Sequence, residues 1–271
     1  IDTLNVVDAV IGLPPNLFHG TGIPVCVLFL KKKRNGNSGD VYFVDASKGF
    51  EKVGKQNRLR AGDVRRIVDA VRSRADIDGF ARKVPLEEIH GNDCNLNIPR
   101  YVDASEPPEP WDVYSLLNGG VPISEVDALA SYFNEFDGLR EALFEPRGHA
   151  LVLRAGVRET VMGNPSVLSY LDRCGRMAEE LGRRCSERLI DQMGTVESMA
   201  TEEELAQDMF ASLRGAPFLD EYEAYQALDD AWYEVSADVE LIKAEGLGVV
   251  SAYERNMVLK KKSKSKELVE E

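Results

Sequence analysis

Val6 to Leu13 is a short apolar run interrupted by Asp8 and stopped by Pro14-Pro15. Ile23 to Leu30 is almost continuously apolar and ends abruptly at Lys31-Lys32-Lys33-Arg34. A run that is apolar on both alternations predicts a strand buried on both faces. Asn35 to Asp40 is a turn cluster, and Val41-Tyr42-Phe43-Val44-Asp45 predicts a third strand. Two strands joined by such a turn suit an antiparallel pair at a sheet edge. A helix is predicted from about Ala61 to Arg74. Val64, Ile67, Val68 and Val71 keep the i, i+3, i+4, i+7 spacing, and Asp63 lies in the first turn, where the helix dipole favours an acid. The front therefore reads as the last strands of an α/β sheet. Ile1-Asp2-Thr3-Leu4 has no Met and no basic n-region, and a strand-like run follows at once, so the sequence reads as a chain cut in mid-domain.

The periodicity then changes to that of helices. Ser124-Glu125-Val126-Asp127 resembles a capping box, and Val126, Leu129, Tyr132, Phe133, Phe136, Leu139 and Leu143 make one helical stripe. Ser166 is the predicted cap of a longer helix. Its stripe runs from Val167 through Leu171, Cys174, Met177, Leu181, Cys185 and Leu189 to Met193, with Gly194 as the stop. Thr201 and Glu204 predict the start of a third helix carrying Leu205, Met209 and Leu213. A fourth is predicted from about Leu219 to Val235, with Tyr222, Tyr225, Leu228 and Trp232 on or near one face. Lys260 to Lys266 reads as a mobile basic tail.

Composition places the 271 residues among ordinary globular proteins, with 44% hydrophobic and 29% charged residues, which excludes collagen-like and wholly disordered readings. No apolar run approaches the ~20 residues needed to span a bilayer. Charge divides the chain. Residues 1–105 carry 16 Lys and Arg against 13 Asp and Glu, a net +3, whereas residues 106–271 carry 17 against 33, a net −16. An acidic half has no field with which to hold a phosphate backbone, and a mildly basic one can. Two domains are expected, 1–105 and 106–271, with a boundary in the Pro/Glu cluster Ser105 to Pro110. The four cysteines, Cys26, Cys94, Cys174 and Cys185, show no CxxC spacing and suggest reduced thiols in a cytoplasmic protein. Cys174 and Cys185 share a helical face, which suits core packing. His19, His90 and His149 have no carboxylate or Cys at ligand spacing, so no metal is expected.

Between the first two strands, Leu13-Pro14-Pro15-Asn16-Leu17-Phe18-His19-Gly20-Thr21-Gly22 carries a Phe at its tip. Phe18 either folds back onto the sheet or serves as a stacking platform for a flat ligand such as a base. Lys31 to Arg34 is either a solvated strand end or a phosphate contact. Lys52, Lys55, Arg58, Arg60, Arg65 and Arg66 form a denser basic stretch, either a solvated surface or a backbone-binding one. Asn95, Asn97, Arg100 and Tyr101 mix amides, a cation and an aromatic in one Pro-containing loop.

The stretch from Gly12 to Lys32 resembles the late catalytic-domain motif of the methylation (M) subunit of type I restriction–modification systems. Further matches follow in order: Phe43 to Ser47, Asn57 to Arg60, Val84 to Ile89, and Asn95 to Val102. The ordered set covers residues 1 to about 103. Pro217 to Leu228, Trp232 and Asp238 to Ile242 resemble, more loosely, a C-terminal module of such subunits.

The resemblance implies an S-adenosylmethionine-dependent N6-adenine DNA methyltransferase with a class I methyltransferase sheet, here its last strands, followed by a mostly α-helical C-terminal domain. It implies that Phe18 faces a flipped-out adenine. The basic stretches make Lys31, Lys55, Arg58 and Arg60 candidates for DNA contact, and the resemblance adds Asn97, Arg100 and Tyr101. It implies three partners: the specificity (S) subunit docked on the helical half, the restriction (R) subunit, and double-stranded DNA. The family's Asn-Pro-Pro-aromatic catalytic motif does not occur in the sequence, and Phe18-His19-Gly20-Thr21-Gly22, which has the FxGxG spelling of its Gly-rich cofactor loop, is not read as that loop because no helix is predicted after it. Leu13-Pro14-Pro15-Asn16 has no Asn before its prolines. No catalytic or cofactor-binding residue is therefore expected in this chain, which alone should be inactive. The alternative is a non-catalytic helical scaffold with a small DNA-contacting α/β cap.

Overall fold

The computed structural model describes residues 5–34, 39–105, 112–214, 216–246, 248, 257–262 and 265–270. The chain forms two compact units, Ile1–Gly175 and Arg176–Glu271.

The first unit opens with β1 (Val7–Leu13), β2 (Val25–Leu30), β3 (Asp40–Asp45), a hairpin of β4 (Glu51–Val53) and β5 (Gln56–Arg58), α1 (Ala61–Ser73), β6 (Ala81–Pro85) and α2 (Leu86–Gly91). The main sheet has the order β2-β1-β3-β6. β1 and β3 run parallel, and the other two pairs are antiparallel. β2 and β3 are therefore not paired with each other, contrary to the expectation from the turn cluster, of which residues 35–38 lie outside the described residues. β2 folds back on β1, with Leu13 opposite Val25, and the chain then crosses to the far side of β1.

Side chains alternate across the sheet with period two. Val10, Val41, Phe43 and Val84 pack on one face with Ile89, Tyr101 and Val102. Ala9, Ile11, Tyr42 and Val44 pack on the other with Ile67 and Ala70 of α1. Helix α1 forms where its spacing predicts. The Arg60 main-chain N–H donates to Asp63 Oδ2 at 2.9 Å, and Arg74 closes the helix in the left-handed region, φ 52°. The covering layers do not reach β2. Val27, Leu28, Phe29 and Leu30 are 41–63% exposed, so the expected burial on both faces is corrected: β2 is a sheet edge.

The rest of the first unit holds α3 (Val113–Asn118), β7 (Val121–Pro122), α4 (Ile123–Asp127), α5 (Ala130–Glu135), α6 (Leu139–Leu143), β8 (Phe144–Arg147), β9 (Ala150–Leu153) and α7 (Val157–Gly163). The stripe from Val126 to Leu143 is not one helix. Phe136 leaves helical geometry and Gly138 turns left-handed at φ 69°. Phe136, Leu139 and Leu143 nevertheless converge on Val167, with Phe133, Phe144, Val161 and Tyr170 around them. β7, β9 and β8 form a small antiparallel sheet that helical periodicity did not announce.

Helix α8 (Pro165–Ser186) continues into the second unit, then through a π turn at Glu187–Asp191 and a 3₁₀ turn at Met193–Thr195. Its cap is Asn164, not Ser166. Asn164 Oδ1 accepts the main-chain N–H groups of Ser166 and Val167 at 2.9 and 3.2 Å, and Pro165 takes the first helical position. Along its stripe Cys174, Met177, Leu181 and Cys185 are half-buried, while Leu168 and Leu171 are exposed. The second unit adds α9 (Ser198–Leu213), begun one turn before the predicted Thr201, and α10 (Glu221–Glu245), which runs ten residues past Val235. Val196, Leu205 and Trp232 form its core with Cys185, Leu189, Leu228 and Val239. The tail read as mobile, Lys260 to Lys266, overlaps β10 (Met257–Lys262), which pairs antiparallel with β11 (Ser265–Glu270). From Glu106 to Pro110, the expected linker lies outside the described residues.

Candidate nucleic-acid interface

The parallel pair β1 and β3 ends on the same side as β2 begins, and the loop of residues 14–24 rises from that edge. Carboxyl ends of parallel strands are where α/β sheets bind ligands. Phe18, near the tip of the loop, is 61% exposed, so it does not fold back onto the sheet. Asn16 sits in the left-handed region, φ 58°. A Cβ on Gly22 would lie 3.2 Å from Asn16 Oδ1, so the two legs of the loop cross closely and only glycine fits there without displacement. The Ile23 N–H donates to Thr21 Oγ1 at 3.3 Å.

Beside this loop lies a cavity of about 420 Å³. Gly12, Leu13, Pro24, Val25 and Cys26 line it from the loop's two roots, Asp45 and Ser47 from the end of β3, and Leu96 to Pro99 from the segment before Tyr101. Its walls are largely apolar, with Asp45, Ser47 and Asn97 as polar groups. Asp45 Oδ1 accepts the Ser47 N–H at 3.0 Å, and the Ala46 N–H donates to the Gly12 carbonyl at 2.9 Å, which fixes this corner. A Cβ on Gly12 would stand 2.8 Å from Ile98 Cδ1, so a side chain there would displace the end of Ile98.

Several of the predicted cations are paired with carboxylates, some of them at the surface. Lys31 Nζ lies 2.6 Å from Asp8 Oδ2, and Asp8 is buried. Arg34 is also buried. It lies 3.6 Å from Asp8, donates to Asn5 Oδ1 at 2.6 Å, and reaches the Asp40 carbonyl. Arg74 reaches Asp8 at 3.3 Å and pairs with Asp40. Burial would raise the Asp8 carboxyl. The Lys31 hydrogen bond and the charges of Arg74, Lys31 and Arg34 outweigh it and hold the group below its ordinary 3.8. The strand end at Lys31 to Arg34 is thus in part a clamp on Asp8 rather than a purely solvated end. Arg58 lies 2.6 Å from Glu51 across the β4–β5 hairpin, and Arg60 lies 3.0 Å from Asp63. Lys52 and Lys55 stand exposed on the hairpin, and Arg100 is exposed beyond the cavity.

Tyr101 corrects the reading of its loop. It is 4% exposed, its ring centroid lies 4.4 Å from that of Phe43, and its hydroxyl donates to the Asn95 carbonyl at 2.5 Å. A ring so placed belongs to the core and does not face DNA. Sequence reasoning assigned no role to Asn57, whose contacts fasten the Phe18 loop to the hairpin. No spacing rule marks such a residue, because its partners lie about 40 positions away. Among the described residues no group of His, Cys, Asp and Glu could hold a metal ion, and no helix is long and apolar enough to cross a membrane.

Residues 1–109 match the family model for N-6 DNA Methylase. The chain is 40% identical over 113 residues to the type I restriction enzyme MjaVII methylase subunit of Methanocaldococcus jannaschii, across 40% of this chain and 20% of that protein. It is 36% identical over 117 residues to the MpnII methylase subunit of Mycoplasma pneumoniae, across 43% and 21%. Among solved structures, the type I restriction-modification system methyltransferase subunit from Streptococcus thermophilus is 50% identical, with a TM-score of 0.36, over 38% of this chain and 21% of that one. The match spans about a fifth of the length of these relatives. The resemblance read from the motifs between Gly12 and Val102 is borne out.

Proposed function

We propose that residues 1–109, which match the N-6 DNA methylase family, form the late, base-facing part of a type I methylase subunit that transfers a methyl group from S-adenosylmethionine to adenine N6 in DNA. The observation that carries this is the exposed Phe18, raised beside a partly apolar cavity at the carboxyl edge of β1 and β3. An aromatic face there would stack on an extruded adenine and hold it for transfer. On this reading β1, β2, β3 and β6 are the last strands of a class I methyltransferase sheet.

On this reading the cofactor is held by polypeptide other than these residues, which is supported by the turn after β1, leading into β2 and not into a helix, and by the lack of an Asn-Pro-Pro triplet in the 271 residues. Methyl transfer would need those motifs from polypeptide other than these residues, and this chain's own part is to present the base. Titration calorimetry of the chain with S-adenosylmethionine should show no heat of binding; micromolar affinity would overturn this division of labour. In a methylase assembled with the missing motifs, Phe18→Ala should lower methylation roughly 10–100-fold, a loss of ~1–3 kcal/mol, with folding kept. Normal methylation by that variant would place Phe18 outside the reaction.

The helical part docks the specificity subunit, and the restriction subunit joins the same cytoplasmic assembly. This is supported by the net −16 of residues 106–271 and by large apolar side chains left on the helices, such as Met199 at 86% and Tyr233 at 82% exposed. Capture of the specificity subunit by the chain, lost on Tyr233→Glu, is the expected result.

A further inference from the structure

The sheet from which the Phe18 loop springs is not its only support. Asn57, in the middle of β5, turns both of its donors onto the loop. Its main-chain N–H donates to the Asn16 carbonyl at 3.0 Å, and its Nδ2 donates to the Pro15 carbonyl at 2.8 Å. These acceptors precede Phe18 by two and three residues. They flank the left-handed Asn16, a conformation that a non-glycine residue keeps where its surroundings hold it. Gly22 closes on the Asn16 side chain from the other leg. The two hydrogen bonds fasten the leg of the loop that leads into Phe18.

The hairpin that does the holding is itself basic. Its turn is Gly54-Lys55, with Gly54 at φ 63°, and Lys52 and Lys55 are exposed while Arg58 is matched by Glu51. The hairpin runs directly into the Arg60–Asp63 cap of α1, which anchors its far end. Phosphate contacts position a nucleic acid and carry no sequence, whereas an aromatic ring accepts the face of any unpaired base. Two such elements work together only if their spacing is fixed. A tip already ordered also loses less freedom on binding.

We propose that Asn57 is a positioning residue that joins the exposed Phe18 ring to the β4–β5 hairpin as one contact unit for single-stranded or base-extruded nucleic acid, with Lys52 and Lys55 on the backbone phosphates and Phe18 on the base. This rests on the base-stacking reading of Phe18.

The test uses the 271-residue chain and a labelled adenine-rich single-stranded oligonucleotide, read by fluorescence anisotropy. Phe18→Ala weakens binding about tenfold. Asn57→Ala weakens it about three- to tenfold, and the double variant binds no more weakly than Phe18→Ala alone, because Asn57 acts through the ring. Amide hydrogen exchange in Asn57→Ala accelerates at residues 16–20 and stays unchanged in β1 and α1. Asn57→Asp keeps the main-chain donor, as Asn57→Ala does, but sets a carboxylate acceptor against the Pro15 carbonyl, and binds no more tightly than Asn57→Ala. Equal weakening by Asn57→Ala with and without Phe18 overturns the proposal, as does unchanged exchange in the loop. If exchange accelerates but Phe18→Ala binds normally, the stacking reading itself has failed, and Asn57 is left as a structural fastening only.

Discussion

An aspartate 1% exposed within a sheet strand costs several kcal/mol in desolvation unless its charge is matched. At Asp8 the match comes from Lys31, Arg34 and Arg74. A bulge supplies the geometry: Val7 and Ala9 pair with adjacent residues Leu30 and Phe29, which leaves Asp8 as the extra residue of β1. Asp8→Asn should therefore destabilise the chain by about 3–5 kcal/mol in urea unfolding, since it leaves three cations around a neutral amide. Because the folded carboxyl titrates below its ordinary 3.8, its contribution is complete above that value and is lost as pH falls through the lower, folded one. Wild type should thus lose stability more steeply than Asp8→Asn below about pH 4; parallel acid profiles would show that Asp8 is not the linked group. An acid alone in an apolar run, with a cation cluster downstream, was the signal available in the sequence. It did not say which cations turn inward. Tyr101 was misplaced for the same reason: its residue type suits a contact loop, and only the position of Phe43 puts the ring inside.

At the scale of elements, β1, β3 and α1 span the residues that periodicity predicts, although β3 pairs with β1 and β6 and not with β2. β2 does not follow its pattern, since burial depends on what covers a strand, and Val27 to Leu30 are left exposed. The stripe from Val126 to Leu143 has the right residues for one packed face, yet Gly138 breaks the helix that periodicity predicted, and the apolar side chains meet across the break. Asn164 ties that break to the next helix. Its Oδ1 caps α8, and its Nδ2 donates to the carbonyl of Asp137 at 3.2 Å. Asn164→Ala should cost about 1–2 kcal/mol in thermal or urea unfolding. Asn164→Asp, which keeps the cap and loses the donor, should recover most of that loss. An Asp variant as unstable as the Ala variant would show that the bond to Asp137, and not the cap, is what α8 depends on.

Across the whole molecule, charge and sequence kinship divide the chain the same way. The segment that matches the N-6 DNA methylases ends at residue 109, and the net charge turns from +3 to −16 near residue 105. The structure narrows which front-half charges can act. Lys31 and Arg34 serve Asp8, Arg58 faces Glu51, and Arg60 faces Asp63, so the cations left to the surface of the candidate interface include Lys52 and Lys55. Each phosphate a lysine neutralises releases condensed counterions and adds about 0.9 to the slope of log affinity against log salt. The chain should therefore bind duplex DNA weakly and with a salt slope that Lys52→Ala with Lys55→Ala reduces by about 2. Arg158 and Arg214, exposed cations of the acidic part, provide the control, and replacing both with alanine should leave the slope unchanged. A slope that falls for the Arg158 and Arg214 pair and holds for the lysines would place DNA on the helical part and reverse the assignment of the two halves. A slope untouched by either pair would mean that the cations now paired with carboxylates exchange those partners for phosphate on binding, which Arg58→Ala would then reveal.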